Sequence, residues 1–154
     1  MEQPVLQFVF EIRVDVAGGK LPELGKTAKG IRKMVPILNG EFEGPEIKGV
    51  VLPAGCDWQL IRNDGITEVE ARYLLRTDDD ALITIINKGL RHGTPDAMQR
   101  IANGELAPPS EYYFRTAPIF ETSSDRYDWL NRHIFIANGI RTPDQVFIHV
   151  WKVL

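Results

Sequence analysis

"DWQLIRNDGITEVEARYLLRT", Asp57 to Thr77, decides the fold. Two runs of strand-forming residues flank Asp64-Gly65, and an Asp-Gly pair in that setting is a strong short-range hairpin signal. In the second run Val69, Ala71, Tyr73 and Leu75 share one apolar face. Glu68, Glu70, Arg72 and Arg76 share the opposite face with Leu74. Alternation with a period of two marks a strand that is buried on one side.

The same pattern extends outward. "KGIRKMVPILNGEFEGPEIKGVVLP", Lys29 to Pro53, holds two strand-like runs around Asn39-Gly40 and predicts a second hairpin there. Near the start, Leu6, Phe8, Phe10, Ile12 and Val14 alternate with Gln7, Glu11 and Arg13, which predicts a half-buried strand. "ALITIINKG" (81–89) is rich in β-branched residues, and "NRHIFIANG" (131–139) and "QVFIHVWKVL" (145–154) add further strands. One stretch reads as a helix: Thr94 is its N-cap, Pro95 its first position and Gly104 its stop. A second short helical turn fits "SSDRYDWLN" (123–131). Roughly eight or nine strands with frequent turns mean an antiparallel sandwich or barrel. The long hairpins, and a helix placed to cover one end, favour the barrel, which also removes exposed sheet edges.

The 154 residues are most simply one domain, 1–154, with 44% hydrophobic and 25% charged residues. A net charge of -3 without a basic cluster excludes the electrostatic footprint of a nucleic-acid binder. Cys56 is the only cysteine, so no intrachain disulfide staples the fold. Glu11, Arg13 and Asp15 interrupt the apolar N-terminal run, which is neither a signal sequence nor a membrane span. A cytoplasmic protein without membrane or nucleic-acid partners is the expectation. The run Gln145–Leu154 is apolar on both faces except for His149 and Lys152, which predicts a cover outside the barrel, most simply a second copy in a homodimer or higher homo-oligomer.

No phosphate loop or dinucleotide fingerprint is present, and His92, His133 and His149 lack metal-site spacing, so no cofactor and no metal are expected. Cys56 reads as a structural thiol in preference to a nucleophile. What remains is charge within strand patterns. Glu70 and Arg72 either form a solvated outer face or point into a cavity with aromatic walls. In "FRTAPIFET" (114–122), Arg115 and Glu121 flank Pro118, whose ring would bend the strand and turn both charges toward one space. Tyr113, Trp129 and Asn131 lie nearby in sequence. A guanidinium can hold an oxyanion, and a partly desolvated carboxylate can carry a proton.

"GPEIKGVVLPAGCDWQLIRNDG" (44–65), "EARYLLRTDDDALI" (70–83), "YYFRTAPIFET" (112–122) and "YDWLNRHIFIANG" (127–139) together resemble a family of small bacterial and fungal proteins with a domain of unknown function. The resemblance covers essentially the whole chain. It implies a calycin-like antiparallel barrel, the broad class of lipocalins and allene oxide cyclase, and no settled activity. The matching positions are Asp57, Trp58, Asp64-Gly65, Arg72, Thr77-Asp78, Tyr113, Arg115, Phe120, Glu121, Trp129 and Asn131. Two departures stand out: the family usually has Gly-Gly-Ala where this chain has Ala54-Gly55-Cys56, and a glycine where it has Asp80.

The functional expectation is a small-molecule-binding barrel, acting as a cofactor-independent isomerase, cyclase or hydro-lyase on a partly apolar substrate. Glu121 or Asp57 would move a proton and Arg115 or Arg72 would hold an oxyanion, with Trp58, Glu70, Tyr113, Trp129 and Asn131 binding the ligand. The alternatives are a binding or sensing module with the same pocket, and a structural subunit with buried ion pairs.

Overall fold

The computed structural model describes residues 2–18 and 21–154. The Asp64-Gly65 hairpin forms as the sequence predicts. Gly65 takes a φ of 85°, and the Arg62 N–H donates to the Ile66 carbonyl at 2.9 Å. It joins β5 (Gly55–Ile61) to β6 (Thr67–Thr77). From β6 the sheet continues antiparallel through β7 (Leu82–Gly93), β8 (Tyr112–Thr122), β9 (Phe135–Arg141), β10 (Gln145–Val153) and β1 (Leu6–Val16). β1 then pairs with β3 (Gly30–Glu43), which also pairs with β5, so the sheet closes on itself. β2 (Glu23–Thr27) extends the β1 position along β3, and β4 (Lys48–Val51) extends the β5 position between β3 and β6. The result is an antiparallel barrel with eight strand positions built from ten strands.

The helix falls where its caps place it. α1 (Pro95–Ala102) starts with the Thr94 hydroxyl accepting from the Ala97 N–H at 3.2 Å, and Gly104 follows it with a φ of 75°. It lies between β7 and β8, at one end of the barrel. A 3-10 turn at Asp128–Asn131 lies at the other end.

Three local readings are corrected. Asn39-Gly40 is no hairpin: β3 runs straight through it, and its register with β1 slips by one residue, Leu38 being the extra one. Gly40 has a φ of 156°, and a Cβ there would come within 2.1 Å of the Arg13 carbonyl oxygen. The glycine therefore serves close strand approach instead of a turn. In β1 a bulge at Val9 changes the parity, so Phe8 faces outward while Phe10, Ile12 and Val14 face the core. In β8 the alternation of buried and exposed residues is unbroken from Tyr112 to Thr122. Pro118 does not bend it. β8 pairs with β9 only at Arg115 and Thr116, so Pro118 lies where the strand is laddered on one side, which accommodates a missing donor.

The barrel interior has two unlike halves. Toward the Asp128–Asn131 turn it is solid: Phe10, Phe42, Leu75, Ile83, Phe120, Leu130 and Phe135 are all at most 4% exposed. The Phe10–Phe120 and Phe120–Phe135 ring centroids lie 5.6 and 5.1 Å apart, edge to face. Two of the sequence motifs meet over this end. Asp79 accepts from the Thr77 hydroxyl at 2.6 Å and the Tyr127 hydroxyl at 2.8 Å, and pairs with Arg126 at 3.1 Å. The other half, toward α1, carries polar side chains on its inner surface.

The face assignment has a direct test. Arg72→Met and Arg115→Met should each change stability by no more than about 0.5 kcal/mol, and additively, because both guanidiniums are outside. Ile119→Ala, at a side chain 67% exposed, should be as mild, whereas Phe120→Ala next to it should cost about 3–5 kcal/mol. That is a melting decrease on the order of 10 °C, read by circular dichroism. Equal effects at 119 and 120 would reverse the assignment.

Candidate functional site

Each strand's alternation carries a set of polar residues inward in the α1 half. Val35, Asp57, Ala71 and Asn87 stand side by side on β3, β5, β6 and β7. One step nearer the mouth come Val69, Gly89 and Thr116, and beyond them Thr67, Arg91 and Phe114. Gly89 and Thr67 apart, these residues, with Gln59, Tyr73, Arg141 and the aliphatic side chains of Val14, Ile37 and Ile148, enclose a narrow cavity of about 40 Å³. It shares Val35, Gln59, Arg91 and Arg141 with a wider vestibule of about 440 Å³ that α1 borders through Met98, Gln99 and Ile101.

Four buried polar atoms around this cavity have no hydrogen-bond partner: the Tyr73 hydroxyl, Asn87 Oδ1, Arg91 Nε and Thr116 Oγ1. Buried polar groups are paired in the great majority of cases, and a cluster of exceptions calls for an explanation, which an ordered water or a ligand can supply. All four line the same space.

Asp57 is held among them by a defect in the ladder. β5 and β6 pair at Asp57–Ala71 and resume only at Leu60–Glu68. In the gap the Glu70 N–H donates to Asp57 Oδ1 at 2.9 Å, and Gln59 Nε2 donates to Asp57 Oδ2 at 2.8 Å. Burial pushes the carboxyl above the ordinary aspartate range, against the pull of these two hydrogen bonds and of the Arg91 and Arg141 charges. Arg91 is brought down to about 10 by burial, which Asp57 only partly offsets, and its Cζ lies 5.4 Å over the Phe114 ring. Burial also lowers Arg141. Neither arginine forms an ion pair among the described residues. Tyr73 is raised, first by burial and then by the nearby Asp57.

Of the candidates named from sequence, Asp57 alone lines this cavity. Glu70, Arg72, Tyr113, Arg115 and Glu121 lie on outward positions of β6 and β8, because each is one residue out of phase with the core face. Glu70 pairs with Lys88 at 3.1 Å; Arg115 lies 5.3 Å over the Tyr113 ring, which itself stacks on His92. Trp58, Arg72, Glu121 and Asn131 do come together, along an open outer groove of about 990 Å³ that also contains Cys56. That groove is larger, and its charged residues Arg72 and Glu121 are exposed. Asn131 is structural, since its amide exchanges two hydrogen bonds with the Thr122 backbone, both at 2.9 Å. Trp129 packs on the aromatic core beside Phe135. Cys56, which the sequence presents as a structural thiol, is partly covered, and burial raises its pKa.

Sequence reasoning missed Tyr73, Asn87, Arg91, Thr116, Gln59 and Arg141. For the two on β7 a signal existed. Ile83 and Ile85 set the inward phase, and the same period runs on through Asn87 and Arg91, so two polar residues continue a core face. Among the described residues no group of three or more His, Cys, Asp or Glu side chains converges on a point. No helix among them is long and apolar enough to cross a membrane.

Comparison with known proteins gives the same answer along the whole chain. A protein from Rhodopseudomonas palustris of the uncharacterised UPF0311 group is 39% identical over 151 residues, covering 98% of this chain and 99% of its own. A crystal structure of a protein of unknown function from the same species superposes with a TM-score of 0.93 at 37% identity, both chains being fully covered. A "beta-barrel like protein" from Acinetobacter baumannii has a TM-score of 0.83 at 36% identity over 99% of each chain. A structure called an enzyme, from the fungus Penicillium herquei, shares the fold at a TM-score of 0.72 and 22% identity, covering 100% of this chain and 97% of that one. Residues 4–153 match the family described as "Protein of unknown function (DUF3237)", and to that family this chain belongs.

Proposed function

We propose that the chain is a cofactor-independent acid–base enzyme whose reaction takes place in the α1 half of the barrel. The observation that carries this reading is the convergence of one carboxyl, raised by burial, with unpartnered hydroxyl and amide groups in a single cavity. The Asp57 carboxylate accepts a proton from a C–H or O–H of the substrate. The Tyr73 and Thr116 hydroxyls face the oxygen on which negative charge builds, in a space where water is scarce and such donors act strongly. Asp57, now a neutral acid, returns the proton to a different atom. Depending on which atom receives it, the net change is an isomerisation, a ring closure or the loss of water. A raised carboxyl suits both halves of that cycle, since proton transfer is most effective when the pKa approaches the working pH. The mixture of aliphatic and polar walls suits a small, partly apolar substrate. The fungal structure called an enzyme supports the reading at the level of the fold only.

The experiment is solvent-deuterium exchange, followed by proton NMR in D2O with 2-tetralone, a small and partly apolar ketone whose C–H next to the carbonyl is acidic. The chain should accelerate exchange over buffer. Asp57→Asn should reduce that acceleration by roughly 10²–10⁴-fold, the usual contribution of a general base. No acceleration by the unaltered chain would leave a non-catalytic binding module. Equal acceleration by Asp57→Asn would remove Asp57 from the chemistry.

A second outcome follows from linkage. The folded state binds the Asp57 proton more tightly than the unfolded chain, so stability from this group is full below the unfolded pKa, about 3.9. It declines as pH rises from there through the higher folded value. Asp57→Asn removes the decline. Its melting temperature relative to the unaltered chain should therefore climb with pH above about 4 and then level off. A difference that is flat or falls with pH would show that the carboxyl is not raised.

A further inference from the structure

The charge at the mouth of the barrel is unbalanced. Lys33, Arg91 and Arg141 line the vestibule, and none of its described lining residues is an Asp or Glu. Lys33 has a partner, Glu23, at 3.6 Å. The two arginines have none, although Arg91 is only 6% exposed and its Nε is unpartnered. The carboxyls that act on them through space are Asp57 and, for Arg141, Asp144, and neither comes within ion-pairing distance of a guanidinium. A guanidinium removed from water without a counter-charge is a liability that folded proteins retain where a ligand completes the pair. Around these cations the vestibule mixes apolar side chains, Leu21, Val35, Ile61, Met98, Ile101 and Pro143, with the uncharged polar Gln59, Thr67, Gln99 and Asn103.

We infer that the substrate is an amphipathic acid whose carboxylate stays at the mouth between Arg91 and Arg141 while its neutral, reacting part enters toward Asp57. This rests on the barrel interior being the ligand site and adds the substrate's charge and its orientation. The order of the groups supports it. Arg91 and Phe114 lie nearer the mouth than the Asp57–Ala71–Asn87 row, so an anchored anion leaves the rest of the molecule to reach inward. A planar guanidinium fork matches a carboxylate in two parallel hydrogen bonds, a geometry that Lys33 lacks. Anchoring the anion there also keeps it away from Asp57, whose own charge would repel it deeper in the barrel.

The test uses 2-naphthoate and its neutral isostere 2-naphthamide in isothermal titration. The unaltered chain should bind the naphthoate at least tenfold more tightly than the amide. Arg91→Gln and Arg141→Gln should each bring that ratio to within about twofold, with circular dichroism and cooperative melting showing that the barrel is intact. Arg141→Lys should recover only part of it. Equal affinity for the two compounds, no naphthoate binding up to millimolar concentration, or a preference that survives both glutamine variants would overturn the inference. The Asp57→Asn variant separates the two proposals. A naphthoate preference without deuterium exchange retains the anion site and removes the acid–base reading; exchange without a naphthoate preference does the reverse.

Discussion

The pairing of β1 with β3 is the constraint on which everything else depends, because it turns a sheet into a barrel. It runs from Glu11–Glu43 to Val16–Ile37 and is possible only with the extra residue at Leu38 and the absence of a side chain at Gly40. A slip of one residue would exchange the inner and outer faces of a strand. With the bulge in place, Ile37 and Phe42 both face inward although five residues apart, opposite Val16 and Ile12. Outside the seam, Arg13 bridges Glu11 at 2.6 Å and Glu41 at 2.8 Å, and His149 meets Glu11 at 2.6 Å. Those exposed pairs contribute little energy. Burial of Ile12, Val14 and Phe42 on the inner side holds the seam shut.

Closure makes the difference between inside and outside absolute, and the chain uses the two ends of its interior differently. Interlocked aromatic rings fill one end. The other keeps narrow space and polar atoms without partners, each of which lowers stability. Such a site persists only where the surrounding structure over-determines its geometry. Here the solid half, fastened by Asp79 and Tyr127, fixes the same strands β6, β7 and β8 that carry Tyr73, Asn87, Arg91 and Thr116. The glycines at the mouth serve the same end. A Cβ at Gly139 would meet the Phe114 ring at 2.5 Å, so the strand yields its own side chain to the aromatic under Arg91.

Much of this was legible in the sequence and some was not. The Asp64-Gly65 hairpin, the helix from Thr94 to Gly104 and the inward set Val69, Ala71, Tyr73 and Leu75 are local signals, and local geometry decides them. Asn39-Gly40 has the same local signature as Asp64-Gly65, yet its neighbours across the seam make it a bulge. Nothing in the dipeptide separates the two cases. The candidate site differs from the one expected from sequence for a related reason. Charge draws the eye to Arg72, Arg115 and Glu121, but on strands with clean alternation charge marks the solvent face. The informative residues were the modest ones in phase with the core: an asparagine, a threonine and a tyrosine. The family departures at Ala54 and Asp80 were legible as well. They are the two non-glycine residues with positive φ among those described, at 90° and 65°, a backbone conformation that glycine adopts more readily.

Asp57 belongs to the inward phase too, and its surroundings explain why a carboxylate can be useful there. A direct bridge to Arg91 or Arg141 would hold it ionised and make it a weak base. Instead it is gripped by the Glu70 N–H and the Gln59 amide, at 2.9 and 2.8 Å, while both guanidiniums stand beyond ion-pairing distance. The two donors fix its orientation at modest cost to its basicity, and burial more than reverses their effect. Gly55, two residues earlier, lets β5 press against β6, since a Cβ there would meet the Tyr73 Cβ at 2.4 Å. The interrupted ladder, the glycine and the inward tyrosine therefore form one arrangement. A backbone N–H and the Gln59 amide, instead of an opposing charge, position the carboxyl.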